Sequence, residues 1–381
     1  MSSRKNIVIV GGGPFGASVA KGLSSASSFD TTRYRLILVT PRPFFVHLPA
    51  LIRTAVTSAG SLEDEILMPY DDFMKGKGEV KVGTVASFSE GKEGGEVVLQ
   101  SGEKIPYSVL VLTPGSIWEG PLNLPESESD IRRHFGTWRQ TIEKANDIVL
   151  VGGGSVGIEF AGELKDFYPT KHVTLVHGQH QLLNSTYPDR YRDALLRRVR
   201  KTGTDVVLGE YIDSTEPSED GTITTRNGKH FRADLVIPTR GGRPNTALVS
   251  ASLGANALTS TGHIKVQPTL QLTGHPQIFA GGDAIEWKEQ KQAGKARGHA
   301  PIIVENVLNV LTKGAGTTEG LVFYKGSTEM IITTVGRSGG VSYFGFLWGI
   351  VLGDWFSRLI KSKGLVIEMS RGNLGLGRLQ K

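Results

Sequence analysis

The feature that most restricts this chain is a glycine motif that occurs twice in the same local setting. Lys5-Asn-Ile-Val-Ile-Val10 is an apolar run of the kind buried on both faces of a parallel sheet, and it leads directly into Gly11-Gly-Gly-Pro-Phe-Gly16 and the helical stretch 17–23. Gly-x-Gly-x-x-Gly between a strand and a helix cradles phosphate: Gly11 permits the tight turn, Gly13 lets a pyrophosphate reach backbone N–H groups, and Gly16 lets helix and strand pack closely. The helix then turns its positive dipole end toward the phosphates. The arrangement returns 141 residues later as the strand Asp147-Ile-Val-Leu-Val151, the turn Gly152-Gly-Gly-Ser-Val-Gly157, a helix over 158–164 and a second strand, His172-Val-Thr-Leu-Val176. A single glycine turn is weak evidence. Two copies, each between a strand and a helix, predict two dinucleotide-binding units.

In such units an acid at the end of the second strand binds the adenosine ribose. Here Arg35-Leu-Ile-Leu-Val39 ends at Thr40, a neutral partner, and the matching position of the second unit is His177. Strict selection of NADH by a carboxylate is therefore not expected. A partly protonated His177 would tolerate a 2′-phosphate, which leaves NADPH or both nucleotides open. Further strands are expected at Val109-Leu-Val-Leu112, at Leu235-Val-Ile-Pro238 and at Ile278-Phe-Ala280, the last running into Gly281-Gly-Asp283. A helix is expected over 300–311. By itself Asp283 reads as a helix N-cap.

Composition then removes whole chemistries. The 381 residues include no cysteine, which excludes disulfides, cysteine-ligated metals and thiol redox chemistry. No apolar run reaches the roughly 20 residues of a spanning helix. Residues 1–6 pass straight into the first strand, so no secretory or transit segment is expected, and Ser2 is not the glycine that myristoylation requires. Net charge is +6, and from Arg358 onward six basic residues face one acid, Glu368. That tail suits an anionic surface, lipid or nucleic acid.

In this order, the two glycine motifs, the strands ending in glycine turns and the Gly-Asp turn resemble the two-dinucleotide-binding-domain flavoproteins. The resemblance extends over about residues 5–315. It implies an α/β fold of two Rossmann-like domains of the glutathione-reductase type with a small C-terminal α+β region. The division would be 1–122 and 247–322 for FAD, 123–246 for NAD(P)H, and 323–381 for a membrane-facing or quinone-facing element. Branches of that superfamily that relay electrons through cysteine are excluded. Among the others, Phe44-Phe-Val-His-Leu-Pro-Ala-Leu-Ile-Arg53, Gly152–Glu159, Gly298-His-Ala300 and Arg358-Leu-Ile-Lys-Ser-Lys-Gly-Leu365 are similar to the ferroptosis-suppressor, or AMID-like, quinone oxidoreductases and their fungal apoptosis-inducing-factor-like relatives. The resemblance implies that Gly11, Gly13, Gly16, Arg53, Val85 and Asp283 serve FAD, and that Gly152, Gly154, Gly157 and Glu159 serve the pyridine nucleotide; Gly12 and Phe15, within the first motif, are expected beside FAD and His177, at the strand end, beside the nucleotide. It also implies catalytic parts for Glu159, at the nicotinamide end, and Lys361, beside the flavin. No metal site is expected.

Residues 344–356 are too few to span a bilayer but combine aromatic and aliphatic bulk with the cations that follow, the composition of an interfacial amphipathic helix. The expected activity is hydride transfer from NAD(P)H to FAD and electron transfer on to a quinone, in a cytoplasmic protein peripheral to a membrane or lipid droplet. Mitochondrial association stays open. Two other classes also stay open: an effector flavoprotein whose basic surface binds nucleic acid, which is less favoured, and a reductase of a small electron-transfer protein. His299 reads as packing rather than as a proton donor, and His47 as an unassigned loop residue.

Overall fold

The computed structural model describes residues 4–377, so Arg378 and Lys381 of the basic tail lie outside the described residues. The apolar run at the N-terminus becomes the strand Lys5–Val10 at the heart of a six-stranded sheet. Ile7, Val8 and Ile9 are fully buried because the strand has parallel neighbours on both sides, Tyr34–Thr40 and Val109–Leu112, and helices on its faces. Glu79–Val82 extends the sheet beyond Tyr34–Thr40. On the other side the sheet is completed by His275–Ala280, parallel to Val109–Leu112, and by the short antiparallel strand Gln271–Leu272. The chain thus leaves this sheet after Leu112 and returns to it only after building another.

That second sheet is four-stranded and wholly parallel, in the order Asp205–Leu208, His172–His177, Asp147–Val151, Leu235–Pro238. A ribbon of Ser116–Ile117 against Arg243–Pro244 ties the two units where the chain passes between them. The helices Pro14–Ser25 and Ser155–Phe167 follow the two glycine turns as expected. The first packs on the long helix Ala296–Lys313 at Gly22, where a Cβ would stand 2.8 Å from Val304.

The last unit is an antiparallel sheet, Met330–Thr334, Gly340–Phe344 and Ile350–Leu352, followed by the short helix Asp354–Ser357, a π-helical turn Arg358–Ser362 and the helix Ile367–Asn373. Here the structure corrects one expectation. Residues 344–356 do not form an interfacial helix; most of them make the tip and return strand of a hairpin. Glycines at 345, 349 and 353 break helical propagation, and the β-branched and aromatic residues between them suit a pleated strand. The unit sits on the helix Ser155–Phe167 at Gly162, where a Cβ would stand 2.3 Å from the Gly336 nitrogen.

Candidate functional site

The two glycine turns are built alike to a degree that the motif alone does not convey. In the first, Gly11 has φ +107°, and a Cβ on Gly16 would meet the Gly11 carbonyl oxygen at 1.9 Å. In the second, Gly152 has φ +124°, and a Cβ on Gly157 would meet the Gly152 oxygen at 2.0 Å. Neither turn tolerates a side chain at those positions. A threonine at the end of a neighbouring strand closes each: Thr113 Oγ1 donates to Gly11 O at 3.0 Å, and Thr239 Oγ1 donates to Gly152 O at 2.8 Å. The middle glycines differ from the rest, since a Cβ on Gly13 or Gly154 would meet nothing within 4 Å. Each therefore faces open space at a helix start, which fits a dinucleotide pyrophosphate.

Asp283 supports the same fit for a flavin nucleotide in the first unit. It lies in a single 3-10 turn, Gly282–Ala284, and is not an N-cap. Its Oδ2 accepts from Ser116 Oγ at 3.3 Å, while its buried Oδ1 has no partner among the described residues. Burial pushes this carboxyl up, only partly countered by Ser116, Lys291 and nearby histidines. A buried carboxylate with a free oxygen needs donors, and ribityl hydroxyls are donors of the right kind. Phe15 packs beneath, its ring 2.9 Å from where a Gly282 Cβ would stand. Gly12 is covered by Tyr70, whose hydroxyl donates to Gly12 O at 2.6 Å and also engages Thr40. Thr40 is thus buried under a phenol rather than free for a ribose. Val85 opens the strand Val85–Gly91, which follows the edge strand Glu79–Val82 in the chain.

The second unit opens into a cavity of about 440 Å³ whose walls include Gly154, Ser155, His177, Tyr211, Arg240 and Lys291. His177 corrects the expectation of a partial positive charge. Its Nδ1 accepts from the Gly153 N–H at 3.0 Å, which leaves Nε2 to carry the proton and bond Leu183 O at 3.2 Å. Burial pulls its pKa down, assisted by Arg192 and opposed by the Leu183 bond. A neutral ring with both nitrogens engaged offers nothing to a 2′-phosphate. The cations that do face this cavity are Arg240 and Lys291, the latter with its pKa lowered by burial.

Glu159 and Lys361 were expected at different ends of the reaction, yet the fold brings them together across 202 residues. Lys361 Nζ donates to Glu159 Oε1 at 2.6 Å and to Ile332 O at 3.1 Å. The same carboxylate oxygen accepts from the Thr334 N–H at 3.0 Å. Sequence reasoning missed the neighbouring pair. Glu163, one helical turn on from Glu159, accepts two bonds from Arg53, Nε to Oε2 and Nη2 to Oε1, each 2.8 Å. Arg53 Nη2 also donates to Ser362 O at 2.8 Å. The arginine expected against FAD therefore directs its guanidinium to the second unit and to the π-helical turn that carries Lys361. The available signal was the pair of acids at i and i+4 within the otherwise apolar stretch 156–164, which repel unless each finds a cation.

His47 proves to be a third anchor of that segment. Fully buried, it donates from Nε2 to Leu365 O at 2.7 Å, and Nδ1 accepts from Ser370 Oγ at 2.9 Å. It thereby holds Leu365 and Val366, two consecutive non-glycine residues with φ of 51° and 53°. Burial lowers its pKa from 6.5 to about 4, against the Leu365 bond and with help from the Lys361 charge. The unfolded chain thus binds a proton that the folded chain refuses. Stability from this residue is complete above pH 6.5 and is lost as the pH falls toward 4, roughly 3 kcal/mol in all. His47→Gln, which does not titrate, is expected to flatten the acid limb of stability measured between pH 7 and pH 4.

The Pyridine nucleotide-disulphide oxidoreductase family profile matches residues 5–300. A FAD-dependent oxidoreductase from Flammulina velutipes, FVFD30, is 43% identical over 317 residues, covering 83% of this chain and 97% of the relative. Ferroptosis suppressor protein 1 of Taeniopygia guttata is 30% identical, over 97% of this chain and 95% of that protein. Among solved structures, the sulfide:quinone oxidoreductase of Aquifex aeolicus superposes with a TM-score of 0.75 at 16% identity, over 98% of this chain and 92% of that one, a likeness of fold. The duplicated cradle and these matches agree, and the chain belongs to the pyridine nucleotide-disulphide oxidoreductase family.

Proposed function

We propose that this chain is an FAD-dependent oxidoreductase that takes hydride from NAD(P)H and passes two electrons, with two protons, to a quinone. The observation that carries the acceptor half is the Lys361–Glu159 pair, whose lysine directly follows the exposed Leu359 and Ile360 in the chain. Bound FAD supplies the two-electron carrier between nucleotide and quinone. In the proposal, Gly13 and Asp283 hold FAD, while Gly154 and the 440 Å³ cavity hold the nucleotide. Lys361 has three N–H donors, and Glu159 and Ile332 take two. The third is available to a quinone carbonyl oxygen as negative charge develops there. Glu159 keeps the ammonium in place, and the likeness to the FAD-dependent oxidoreductase of Flammulina velutipes supports the flavin.

Phe346, Leu347, Trp348, Trp355, Leu359 and Ile360 of the C-terminal unit are all exposed. Ring contacts join Phe346 to Phe344, Phe356 and Trp355. Trp348 is 96% exposed and has φ +61°, and Arg190 bonds its carbonyl, so the turn is braced with the indole outward. Arg358 and Lys363 are exposed nearby in sequence. Exposed Trp and Leu beside cations suit the headgroup level of an anionic membrane, from which a quinone would arrive. Among the described residues no helix is long and apolar enough to cross a membrane, so the contact proposed is peripheral. The domain limits at 122, 246 and 322 are proposed on the grounds that none cuts a strand or helix.

The test is direct. Purified protein should be yellow and should oxidise NADH or NADPH with a short-chain ubiquinone. Protein that is colourless and does not take up FAD would sink the reading, and turnover with ferredoxin but not quinone would move it to the electron-transfer-protein reductases. Trp348→Ser should reduce cosedimentation with anionic phospholipid vesicles; unchanged cosedimentation would remove the membrane contact.

A further inference from the structure

Behind the Asp283 turn lies a buried polar cluster that the reaction described above does not use. Its centre is His299, in the first turn of the helix Ala296–Lys313, with a side chain 2% exposed. His299 Nδ1 accepts from the Gly282 N–H at 3.2 Å, and Nε2 bonds Glu289 Oε1 at 2.7 Å. Because Gly282 donates to Nδ1, the ring proton sits on Nε2 and is given to the carboxylate. Glu289, 4% exposed, receives a second bond from Tyr324 on Oε2 at 2.7 Å, and Lys295 Nζ stands 3.8 Å away. Burial pushes the Glu289 carboxyl up, but the bonds from His299 and Tyr324 and the nearby charges more than offset it, leaving it below the ordinary carboxylate range.

The ring is fixed on its faces as well as its edges. Phe15, from the first glycine turn, packs at 5.4 Å between centroids, and Tyr324 meets the ring edge-on at 4.5 Å. Three separate parts of the chain therefore converge on one imidazole: the pyrophosphate turn through Phe15, the Asp283 turn through Gly282, and the segment carrying Glu289. Gly282, at φ +85°, opens the 3-10 turn Gly282–Ala284, so its N–H has no acceptor within that turn and needs one from elsewhere. That acceptor is His299.

We propose that Glu289 and His299 are positioning residues for FAD. The carboxylate orients the imidazole, and the imidazole holds the Gly282 N–H so that the unpartnered oxygen of Asp283 is aimed at the cofactor before it binds. This rests on the flavin reading above. A carboxylate–imidazole–amide chain of this kind restricts the turn in the free protein and so lowers the ordering cost of binding.

The experiment is titration of apo-protein with FAD, followed by quenching of flavin fluorescence, with the melting of the apo-protein recorded by circular dichroism. His299→Ala should weaken FAD binding roughly tenfold, the loss of one buried bond and its orientation. His299→Asn puts an amide oxygen where Nδ1 was, so it should recover most of the affinity, and Glu289→Gln should fall between. Unchanged affinity in His299→Ala overturns the proposal, and so does a His299→Asn protein that binds as weakly as His299→Ala. If His299→Ala does not fold, Glu289→Gln decides: weaker FAD binding than the unaltered protein supports the proposal, and unchanged affinity overturns it. Unaltered protein that binds no FAD overturns both this proposal and the flavin reading, whereas normal binding by the unaltered protein and by His299→Ala overturns this one alone.

Discussion

Lys361→Met and Glu159→Gln should each slow reoxidation of the reduced enzyme by quinone roughly 100-fold, the scale of losing one preorganised donor to a developing oxyanion. The double variant should be no worse than either single one. Lys361 Nζ is placed by Glu159 Oε1 at 2.6 Å, so removing the carboxylate misplaces the ammonium and removing the ammonium leaves the carboxylate buried without its cation. Residues that act as a unit are not additive. Stopped-flow mixing of reduced enzyme with quinone reads this step alone. Flavin reduction by NAD(P)H reads the other half. Losses that multiply in the double variant would show two independent roles, Glu159 at the nicotinamide and Lys361 at the quinone. Equal loss in both half-reactions would point instead to a disordered site.

The second large effect is expected at Arg53. Its side chain is 7% exposed and that of Glu163 is 2% exposed, and the two form a bidentate pair. Breaking a buried pair by removing one partner costs about 3–5 kcal/mol, because a buried charge is left behind. Arg53→Leu should therefore be strongly destabilised and should also release the Ser362 carbonyl, so amide hydrogen exchange should quicken over residues 358–366. Arg53→Lys should recover little, since a point charge cannot make both bonds to Glu163 and reach Ser362 as well. The double variant Arg53→Leu/Glu163→Leu should regain much of the loss, since no charge is then buried unpaired.

The pH dependence of Arg53→Leu follows from Glu163. Burial already holds this carboxyl above its ordinary range, with Arg53 opposing that shift. Without Arg53 the folded-state pKa rises further, so the folded protein binds more protons than the unfolded chain. Stability then falls as pH rises through that pKa. The deficit of Arg53→Leu relative to the unaltered protein should be widest at neutral pH and should narrow on acidification. A deficit independent of pH would mean that Glu163 is not the group left uncompensated.

How far these features were legible depends on how local their signals are. The glycine turns were readable because Gly11, Gly16, Gly152 and Gly157 meet backbone within a few residues in sequence or on the next strand, and such contacts force the residue type. The closing threonines carried a weaker signal, Thr113-Pro-Gly and Thr239-Arg-Gly at corresponding strand ends. Asp283 was placed by resemblance, yet its oxygen without a partner is a fact of packing. The composition of 344–356 suits an interfacial helix, but the glycines spaced through it favour the hairpin that forms. His177 was misread because a ring that faces a nucleotide in sequence order here bonds its own turn.

By itself the sequence determined the duplicated nucleotide architecture and the lack of cysteine among its 381 residues, while parts for Glu159 and Lys361 came only as what the resemblance implies. Only the tertiary structure decided that these two are one ion pair, that Arg53 and His47 fasten the segment bearing Lys361, and that Glu289 and His299 stand behind Asp283. The reason is separation along the chain. Periodicity and turn chemistry act over a few residues and leave their mark in sequence, whereas the bonds from Lys361 to Glu159 and from Arg53 to Glu163 span 202 and 110 residues. No local pattern encodes which buried carboxylate a distant cation will meet; that is settled when the helix Ser155–Phe167 is covered by the C-terminal unit and water is excluded from both.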